Sequence, residues 1–275
     1  MAYSSPAFLL KSIDYGENDR ILTFFTQKEG KIKGIAKGAK KSQRRFGGAL
    51  DWFHLVKLHY RSPKKEGADF FFFDSMDMIH RCETIAQNLT AYAYGSYFLE
   101  LVRELTHDHQ AEEMVFDLLY GALSKLESVS KEEHTEKQGV ENIARFFELN
   151  LLDLLGLKPV LDRCVECQKT LVIQGKNFDT RTFQFCLQRS GLVCQTCHEA
   201  KRNLKYMSFV GLQGKAIKRM QEAFSYAGQD VQDAISLPEF DEVSNRQARK
   251  LLTQYIQHYA QKPMATLAFL DGLGN

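Results

Sequence analysis

The stretch "DWFHLVKLHY", residues 51–60, decides how the first part of the chain folds. Its side chains alternate between two faces, one formed by Trp52, His54, Val56, Leu58 and Tyr60 and the other by Phe53, Leu55, Lys57 and His59. A period of two residues is that of a β-strand. Four more runs before residue 81 are also β-like: "AFLLKSIDY", "RILTFFT", "GKIKGIAKG" and "ADFFFFDSM". Five strands in so short a segment predict a small closed barrel.

The spacing of apolar residues changes to that of helices after residue 80. Three stripes follow: Ile85, Leu89 and Tyr92; Val115, Leu118, Leu119 and Ala122; and Ile143, Phe146, Phe147, Asn150, Leu151 and Leu154. Helical spacing returns near residue 208, and "SNRQARKLLTQYIQHYA", residues 244–260, predicts a last helix with Ser244 as its N-cap. The chain is thus expected to be an α+β multidomain protein.

Two Cys-x-x-Cys pairs, Cys164/Cys167 and Cys194/Cys197, account for four of the six cysteines. Each pair can place two sulfurs on one ion, so the four together predict one structural zinc ion in a tetrahedral site. The alternative, buried reduced cysteines, is disfavoured because two pairs at ligand spacing are a poor coincidence. Cys186 and His198 are reserve ligands. A site with four thiolates leaves no position for water, which favours a structural role.

The expected domains follow from these patterns. They are a barrel at 1–80, the first part of a helical domain at 81–163, an inserted zinc module at 164–200, and the C-terminal part of the helical domain at 201–275.

A zinc-dependent deaminase is an alternative, because "HTE" at 134–136 precedes a Cys-x-x-Cys pair. In that class the glutamate, here Glu136, moves protons while zinc activates water. However, Arg163 stands where the deaminase pattern has proline, and the second cysteine pair would have no role. The sequence therefore favours a protein without catalysis.

Charge is divided unevenly along a chain whose net charge is only +2. Residues 1–80 carry 14 Lys and Arg against 9 acids, 81–163 carry 8 against 15, and 164–275 carry 14 against 10. Basic ends and an acidic middle suggest that an anionic partner meets the ends.

The Gly-rich segment "KGAKKSQRRFGG", residues 37–48, is expected to be a mobile surface loop. Candidate phosphate contacts in and before it are Lys31, Lys33, Lys37, Lys40, Lys41, Arg44 and Arg45. Phe46 is the candidate for stacking on an unpaired base. The alternative is a solvated loop that is basic only for solubility.

A second basic cluster, Arg246, Arg249 and Lys250, has i, i+3, i+4 spacing on the last predicted helix. This face can bind a partner or can be ordinary solvated surface. No apolar run approaches the about 18 residues of a membrane helix, and no secretory leader is visible, so a cytosolic chain without a membrane partner is expected.

These features resemble the bacterial RecO recombination mediators along nearly the whole chain. The resemblance is carried by "AFLLKSIDYGENDRILTFFTQKEGKIKGIAKGAKKSQRRFGGAL", by "DWFHLVKLHY", by the paired cysteines and by "NRQARKLLTQYIQHY". The middle, residues 81–160, matches only in being helical.

The resemblance implies an OB-fold for the barrel and a DNA repair protein without catalysis in the bacterial cytoplasm, at the nucleoid. Such proteins bind single- and double-stranded DNA, anneal complementary strands and, with RecR, help load RecA on DNA coated by single-strand binding protein (SSB). Lys37, Lys40, Lys41, Arg44 and Arg45 then become leading DNA contacts. The cluster at 246–250 becomes a candidate contact for the SSB C-terminal tail. Alternatives are a zinc-containing RNA-binding module or a protein scaffold.

Overall fold

The computed structural model describes residues 2–48, 50–62, 70–131, 137–171, 177–200, 206–224, 238–260 and 262–272. The chain forms two compact units. The first comprises residues 1–135 with 268–275, and the second comprises residues 136–267.

A closed five-stranded barrel dominates the first unit. Its strands are β1 (Ala2–Tyr15), β2 (Asp19–Thr26), β3 (Gly30–Ala36), β4 (Leu55–Arg61) and β5 (Phe70–His80). The strand order is β1-β2-β3-β5-β4. β1 pairs with both β2 and β4, and β3 pairs with β5 in parallel. The predicted barrel is therefore confirmed, and its topology is OB-like.

The stretch that predicted the barrel forms a strand only from Leu55 onward. Val56, Leu58 and Tyr60 lie in the barrel core, while Lys57 faces outward, as the alternation predicts. The preceding residues form a turn in which Phe53 has a φ of 73° and is buried. A glycine at position 95 makes room for this ring, because a Cβ there would lie 2.9 Å from the Phe53 Cε1 atom.

The helices of the first unit are a 3₁₀ turn (Thr84–Gln87), α2 (Leu89–Leu105) and α3 (Glu113–Ser130), and a short helix α1 (Gln43–Phe46) lies between β3 and β4. Of the stripe predicted at 85–92, Ile85 is buried, but Leu89 is 60% exposed and Tyr92 is 37% exposed, so the part of the prediction that falls on α2 is wrong. The buried face of α2 instead carries Tyr94, Phe98 and Leu101. Leu89 is the first residue of the helix, and the later turns of α2 determine which face of the helix is buried.

The second unit combines helices with a small sheet. Its helices are α4 (Lys137–Leu154), α5 (Gln195–Ala200), α6 (Gly214–Phe224) and α7 (Glu242–Ala260), and its strands are β6 (Thr182–Cys186), β7 (Gly191–Val193) and β8 (Phe209–Gln213). The sheet order is β7-β6-β8, and α4, α6 and α7 pack on one another. The cysteine segment lies between α4 and α6 in the chain, as predicted. A further helix, α8, spans Ala265–Gly272.

α7 begins at Glu242, three residues earlier than a helix with Ser244 as its N-cap would. Asp241 precedes it, and its carboxylate accepts hydrogen bonds from the Ser244 backbone N–H at 3.3 Å and the Ser244 hydroxyl at 2.7 Å. Ser244 therefore lies inside the first turn and is not the N-cap. In the part of the chain that the structure describes, no helix is both long and apolar enough to cross a membrane.

Candidate nucleic-acid interface and metal centre

The basic loop, residues 37–45, directly follows β3 and is hydrogen-bonded to the barrel at the end where β3 stops. The Gly38 N–H donates to the Asp19 carboxylate at 2.8 Å, and the Lys40 N–H donates to the Asn18 carbonyl at 3.0 Å. Gly38 has a φ of 67°, a conformation that glycine adopts without strain. The segment predicted to be a mobile loop is thus a turn and a short helix that pack on the barrel.

Most predicted cations in the loop and in the strand before it face solvent: Lys33, Lys37, Lys41, Arg44 and Arg45 are exposed. The Arg45 guanidinium donates to the Lys37 carbonyl at 2.7 Å, which shapes the loop. Lys40 is less available, because its ammonium contacts the Gly16 carbonyl at 3.1 Å and the Asp14 carboxylate at 3.2 Å. The loop therefore offers a cluster of accessible positive charges.

Lys31 has different surroundings from the other predicted DNA contacts. Its ammonium donates to the carbonyls of Arg103 at 2.7 Å and Thr106 at 2.8 Å, and lies 3.2 Å from Asp108. These carbonyls belong to the C-terminal end of α2, where carbonyl groups lack helical partners. With its side chain only 14% exposed, Lys31 caps a helix and is not positioned to meet phosphate.

Phe46 is also placed differently from the prediction. It is 2% exposed and belongs to the barrel core with Phe24 and Phe73. The ring anchors α1 to the barrel and cannot stack on a base from this position.

The structure reveals a second exposed surface that sequence reasoning missed. Two cross-strand rows run over β1, β2, β3 and β5, on the side opposite the barrel core. One row is Lys11, Thr23, Lys33 and Phe70, and the other is Ile13, Ile21, Ile35 and Phe72. We call these eight residues the open barrel face. The partners in each row are paired in register, so their side chains point the same way.

Among the described residues of the first unit, the helices pack on other parts of the barrel, and the side chains of the open barrel face are partly or fully exposed. Phe8 and Phe25 also point outward, but they contact Phe116 of α3, with ring centroids 5.3 and 6.1 Å apart. The open face carries partly exposed aromatic rings beside exposed lysines, and the basic loop follows β3 directly. The four consecutive phenylalanines at 70–73 could have indicated this surface. Alternate residues of a strand face opposite sides, so two of the four rings must point away from the barrel core.

The helical cluster on α7 is accessible in part. Arg246 is 71% exposed with Glu242 at 3.9 Å, Lys250 is exposed and Arg249 is half-buried. The three residues lie on the same side of the helix, as their spacing predicts.

The four predicted cysteines come together in the second unit. The sulfurs of Cys164, Cys167, Cys194 and Cys197 all lie within 4.8 Å of one another. The Cys167 and Cys194 sulfurs are 3.8 Å apart. A tetrahedral zinc site with Zn–S bonds of about 2.3 Å has S–S edges of about 3.8 Å, so the arrangement fits one such ion.

The surroundings of the sulfurs favour a bound cation. Burial, the largest influence, raises the pKa of Cys164, but hydrogen bonds from backbone N–H groups, first that of Cys194, more than offset it and lower the pKa to about 7. Hydrogen bonding with the Cys194 sulfur and then burial raise the pKa of Cys197 well above its usual range. Neighbouring thiolates repel one another, and a divalent cation supplies the charge that offsets this repulsion.

The reserve ligands lie beside the four cysteines and not among them. The Cys186 sulfur contacts the Met207 sulfur at 3.4 Å, and the His198 ring packs edge-on against Phe209, with centroids 4.8 Å apart. The "HTE" segment of the deaminase alternative lies outside the described residues. The second cysteine pair completes the first, so the four sulfurs leave no open coordination position for a catalytic water.

Comparisons with known proteins agree with this architecture. The family model described as Recombination protein O N terminal matches residues 1–86, and the one described as Recombination protein O C terminal matches residues 86–268. A DNA repair protein RecO from Anaeromyxobacter dehalogenans strain 2CP-C is 30% identical over 97% of this chain and 94% of its own. That of Myxococcus xanthus is 28% identical over 99% and 98%, and that of Geobacter sulfurreducens is 39% identical over 58% and 61%. The chain therefore belongs to the RecO family of DNA repair proteins.

Proposed function

We propose that this protein is a DNA-binding recombination mediator without catalytic activity. It binds single- and double-stranded DNA through the barrel, anneals complementary strands and, with RecR, assists RecA loading on DNA coated by SSB. The open barrel face next to the basic loop carries this proposal, because OB-folds bind nucleic acid on the face of their second and third strands.

The two surfaces contribute different interactions. Lys33, Lys37, Lys41 and Arg44 are exposed cations that suit phosphate contacts, which give affinity without reading sequence. Phe70 and Phe72 are partly exposed rings that suit stacking on unpaired bases. The Arg61 guanidinium lies 5.9 Å from the Phe72 ring centroid and is held by Asp74 at 2.8 Å. Arg61 thereby supports the ring at the edge of the face.

We assign the functions to the domains suggested by the sequence. Residues 1–80 bind DNA, 164–200 bind one zinc ion that has a structural role, and the helical parts at 81–163 and 201–275 support the fold and bind partners. The zinc ion would be held by the four cysteines. It stabilises the turns that carry them.

The SSB C-terminal tail is an acidic and hydrophobic peptide, so it requires positive charge beside an apolar surface. Arg246, Arg249 and Lys250 on α7 are one candidate contact. A groove of about 470 Å³ in the same unit, lined by Lys158, Pro159, Arg163 and Phe224 among others, has the same character. Titration of a labelled tail peptide against an Arg246→Ala/Lys250→Ala variant and a Lys158→Ala/Arg163→Ala variant decides between the two.

The mediator proposal is tested by annealing of complementary strands that are coated by SSB. We expect this protein to accelerate annealing. A protein scaffold would not accelerate annealing and would not bind DNA at physiological salt. An RNA-binding module would prefer RNA to DNA of the same sequence in competition.

The DNA site is tested by removing charge from the barrel. For the Lys33→Ala/Lys37→Ala/Lys41→Ala variant we expect weaker binding to single-stranded DNA and a shallower dependence of log K on log salt, by about 0.7 for each phosphate that the variant no longer neutralises. The matched control is Lys169→Ala/Lys218→Ala/Lys262→Ala, which removes the same charge from exposed positions in the second unit. Equal salt slopes in the two variants would exclude the barrel as the DNA site.

The stacking contribution is measured with Phe70→Leu/Phe72→Leu. Affinity for single-stranded DNA should fall by about 1–3 kcal/mol per stacked base, with the salt slope unchanged. Tyr206→Leu is the control, because Tyr206 is an aromatic residue that is 90% exposed in the second unit. If the double variant binds as tightly as the unaltered protein, the open barrel face does not stack on bases.

A further inference from the structure

Three potential metal ligands of different chemical types meet at the end of β5, in the first unit. Ligand atoms of His80, Cys82 and Glu127 all lie within 4.8 Å of one another. Cys82 is 2% exposed and Glu127 is 6% exposed, whereas the His80 side chain is 34% exposed. The cluster is therefore closed on the side of the thiol and the carboxylate and open to solvent on the side of the imidazole.

Neighbouring residues hold the imidazole of His80 and the backbone of the other two ligands. The Tyr120 hydroxyl lies 3.2 Å from His80 Nδ1, which leaves Nε2 facing Glu127 Oε2 at 2.9 Å. The Cys82 backbone N–H donates to the buried His54 Nδ1 at 3.1 Å. The Thr84 hydroxyl donates to the Glu127 carbonyl at 3.2 Å. A hydrogen bond to the second imidazole nitrogen is the usual support of a metal-binding histidine.

An ion pair explains only part of this arrangement. His80 Nε2 lies 2.9 Å from one oxygen of the buried Glu127 carboxylate, and the Lys131 ammonium lies 3.4 Å from the other. The Cys82 thiol donates a hydrogen bond to the Glu127 carboxylate, and its sulfur completes a set of nitrogen, sulfur and oxygen donors. This donor set suits zinc and cobalt, whose bonds of about 2.0–2.3 Å separate tetrahedral ligand atoms by about 3.3–3.8 Å.

We propose that His80, Cys82 and Glu127 form a second metal site, which binds one divalent ion of the zinc type and leaves the fourth coordination position to water at the exposed edge. The ion bonds to the Cys82 sulfur, to His80 Nε2 and to a Glu127 oxygen, and the thiol proton is released to solvent. The site joins the end of β5 to α3. It shares no ligand with the four-cysteine centre.

Cobalt(II) is the probe, because its absorption reports thiolate ligation and tetrahedral geometry. The full-length protein is stripped of metal under reducing conditions and titrated with cobalt(II), and the bound metal is also counted by elemental analysis. We expect two equivalents per chain. The Cys164→Ser/Cys167→Ser variant should keep one equivalent, with the weaker sulfur-to-cobalt band of a site that has one thiolate.

Cys82→Ser should lower the stoichiometry from two to one and leave the spectrum of the four-thiolate centre. Cys186→Ser is the matched control, since Cys186 is also buried and lies outside both clusters, and it should keep two equivalents. His80→Gln removes the partly exposed ligand. It is the test variant if circular dichroism shows that Cys82→Ser does not fold. One equivalent in the unaltered protein, or two in both Cys82→Ser and His80→Gln, would overturn the proposal.

Discussion

Lys31 and Lys33 lie on the same outward side of β3, two residues apart, yet only Lys33 is exposed. The sequence treats them alike, because both alternate with apolar residues in a basic segment. The difference arises from the chain after α2, where the His109 N–H donates to the Lys31 carbonyl at 3.0 Å and Asp108 bridges to Lys31. An interaction with a residue more than 70 positions away cannot be inferred from local spacing.

Comparison of Lys31 with Lys33 gives a testable prediction in which Lys33 is the control. Lys31→Met should lower the free energy of unfolding by about 1–3 kcal/mol, because the Arg103 and Thr106 carbonyls lose a charged donor in a half-buried place. Lys33→Met should change stability by less than about 0.5 kcal/mol, since exposed substitutions rarely do more. Urea unfolding measures both. DNA titration should show the opposite order, with the larger loss of affinity in Lys33→Met. If Lys31→Met is as stable as the unaltered protein but binds DNA more weakly, Lys31 contacts DNA and the assignment as a helix cap is wrong.

At the scale of elements, the start of α7 is ambiguous in the sequence, because two residues could each serve as the N-cap. Asp241 and Ser244 are both good capping residues, three positions apart, and the pattern of apolar residues suits either. The structure selects Asp241, whose carboxylate also lies 3.1 Å from the Lys215 ammonium of α6. Burial, the largest influence, raises the pKa of Asp241, but hydrogen bonds from Ser244 and Lys215 outweigh it and lower the pKa to about 2.

We expect Asp241→Asn to destabilise the second unit at neutral pH because the charge opposite Lys215 is lost. Since the folded-state pKa lies below the ordinary value of 3.8, the stabilisation by Asp241 is complete above pH 3.8 and disappears as the pH falls toward 2. Melting temperatures of the variant and the unaltered protein should therefore differ at pH 7 and converge in acid. Glu239→Gln, an exposed change two residues away, is the control. A difference that persists at pH 2 would contradict the assignment.

The elements themselves were largely predictable. All five strands of the barrel and the cysteine pairing follow from alternation and spacing, which are local properties. The stripe on α2 was wrong, and Phe46 was assigned to solvent although it lies in the core, because both depend on what packs against the segment. The open barrel face needed the strand register and the position of α3, neither of which is visible in one strand.

At the scale of the whole molecule, the barrel and the cysteine centre belong to different compact units. Loss of the metal should therefore affect one unit and spare the other. For Cys164→Ser we expect loss of the bound ion and a lower melting temperature, because a structural metal contributes folding free energy. Metal analysis and calorimetry measure these effects.

Binding of single-stranded DNA at the barrel should persist in Cys164→Ser. Cys186→Ser, which leaves the four ligands in place, is the control for the loss of a buried thiol. If Cys164→Ser remains folded but no longer binds DNA, the zinc module takes part in the interface.

The double pairing of β1 has a consequence for the order in which the nascent chain folds. β2 is synthesised soon after β1, but β4, the other neighbour, ends at Arg61, and β5 ends at His80. At about 5–20 residues per second, the ribosome takes several seconds to extend the chain from β1 to the end of β5. During that interval the β1–β2–β3 sheet has two free edges, and Leu9, Leu22 and Phe24 lack the residues of β4 and β5 that later complete the barrel core. The barrel thus closes only after β5 has been synthesised, and until then the apolar inner face and the unpaired edges of its first strands can associate with other chains.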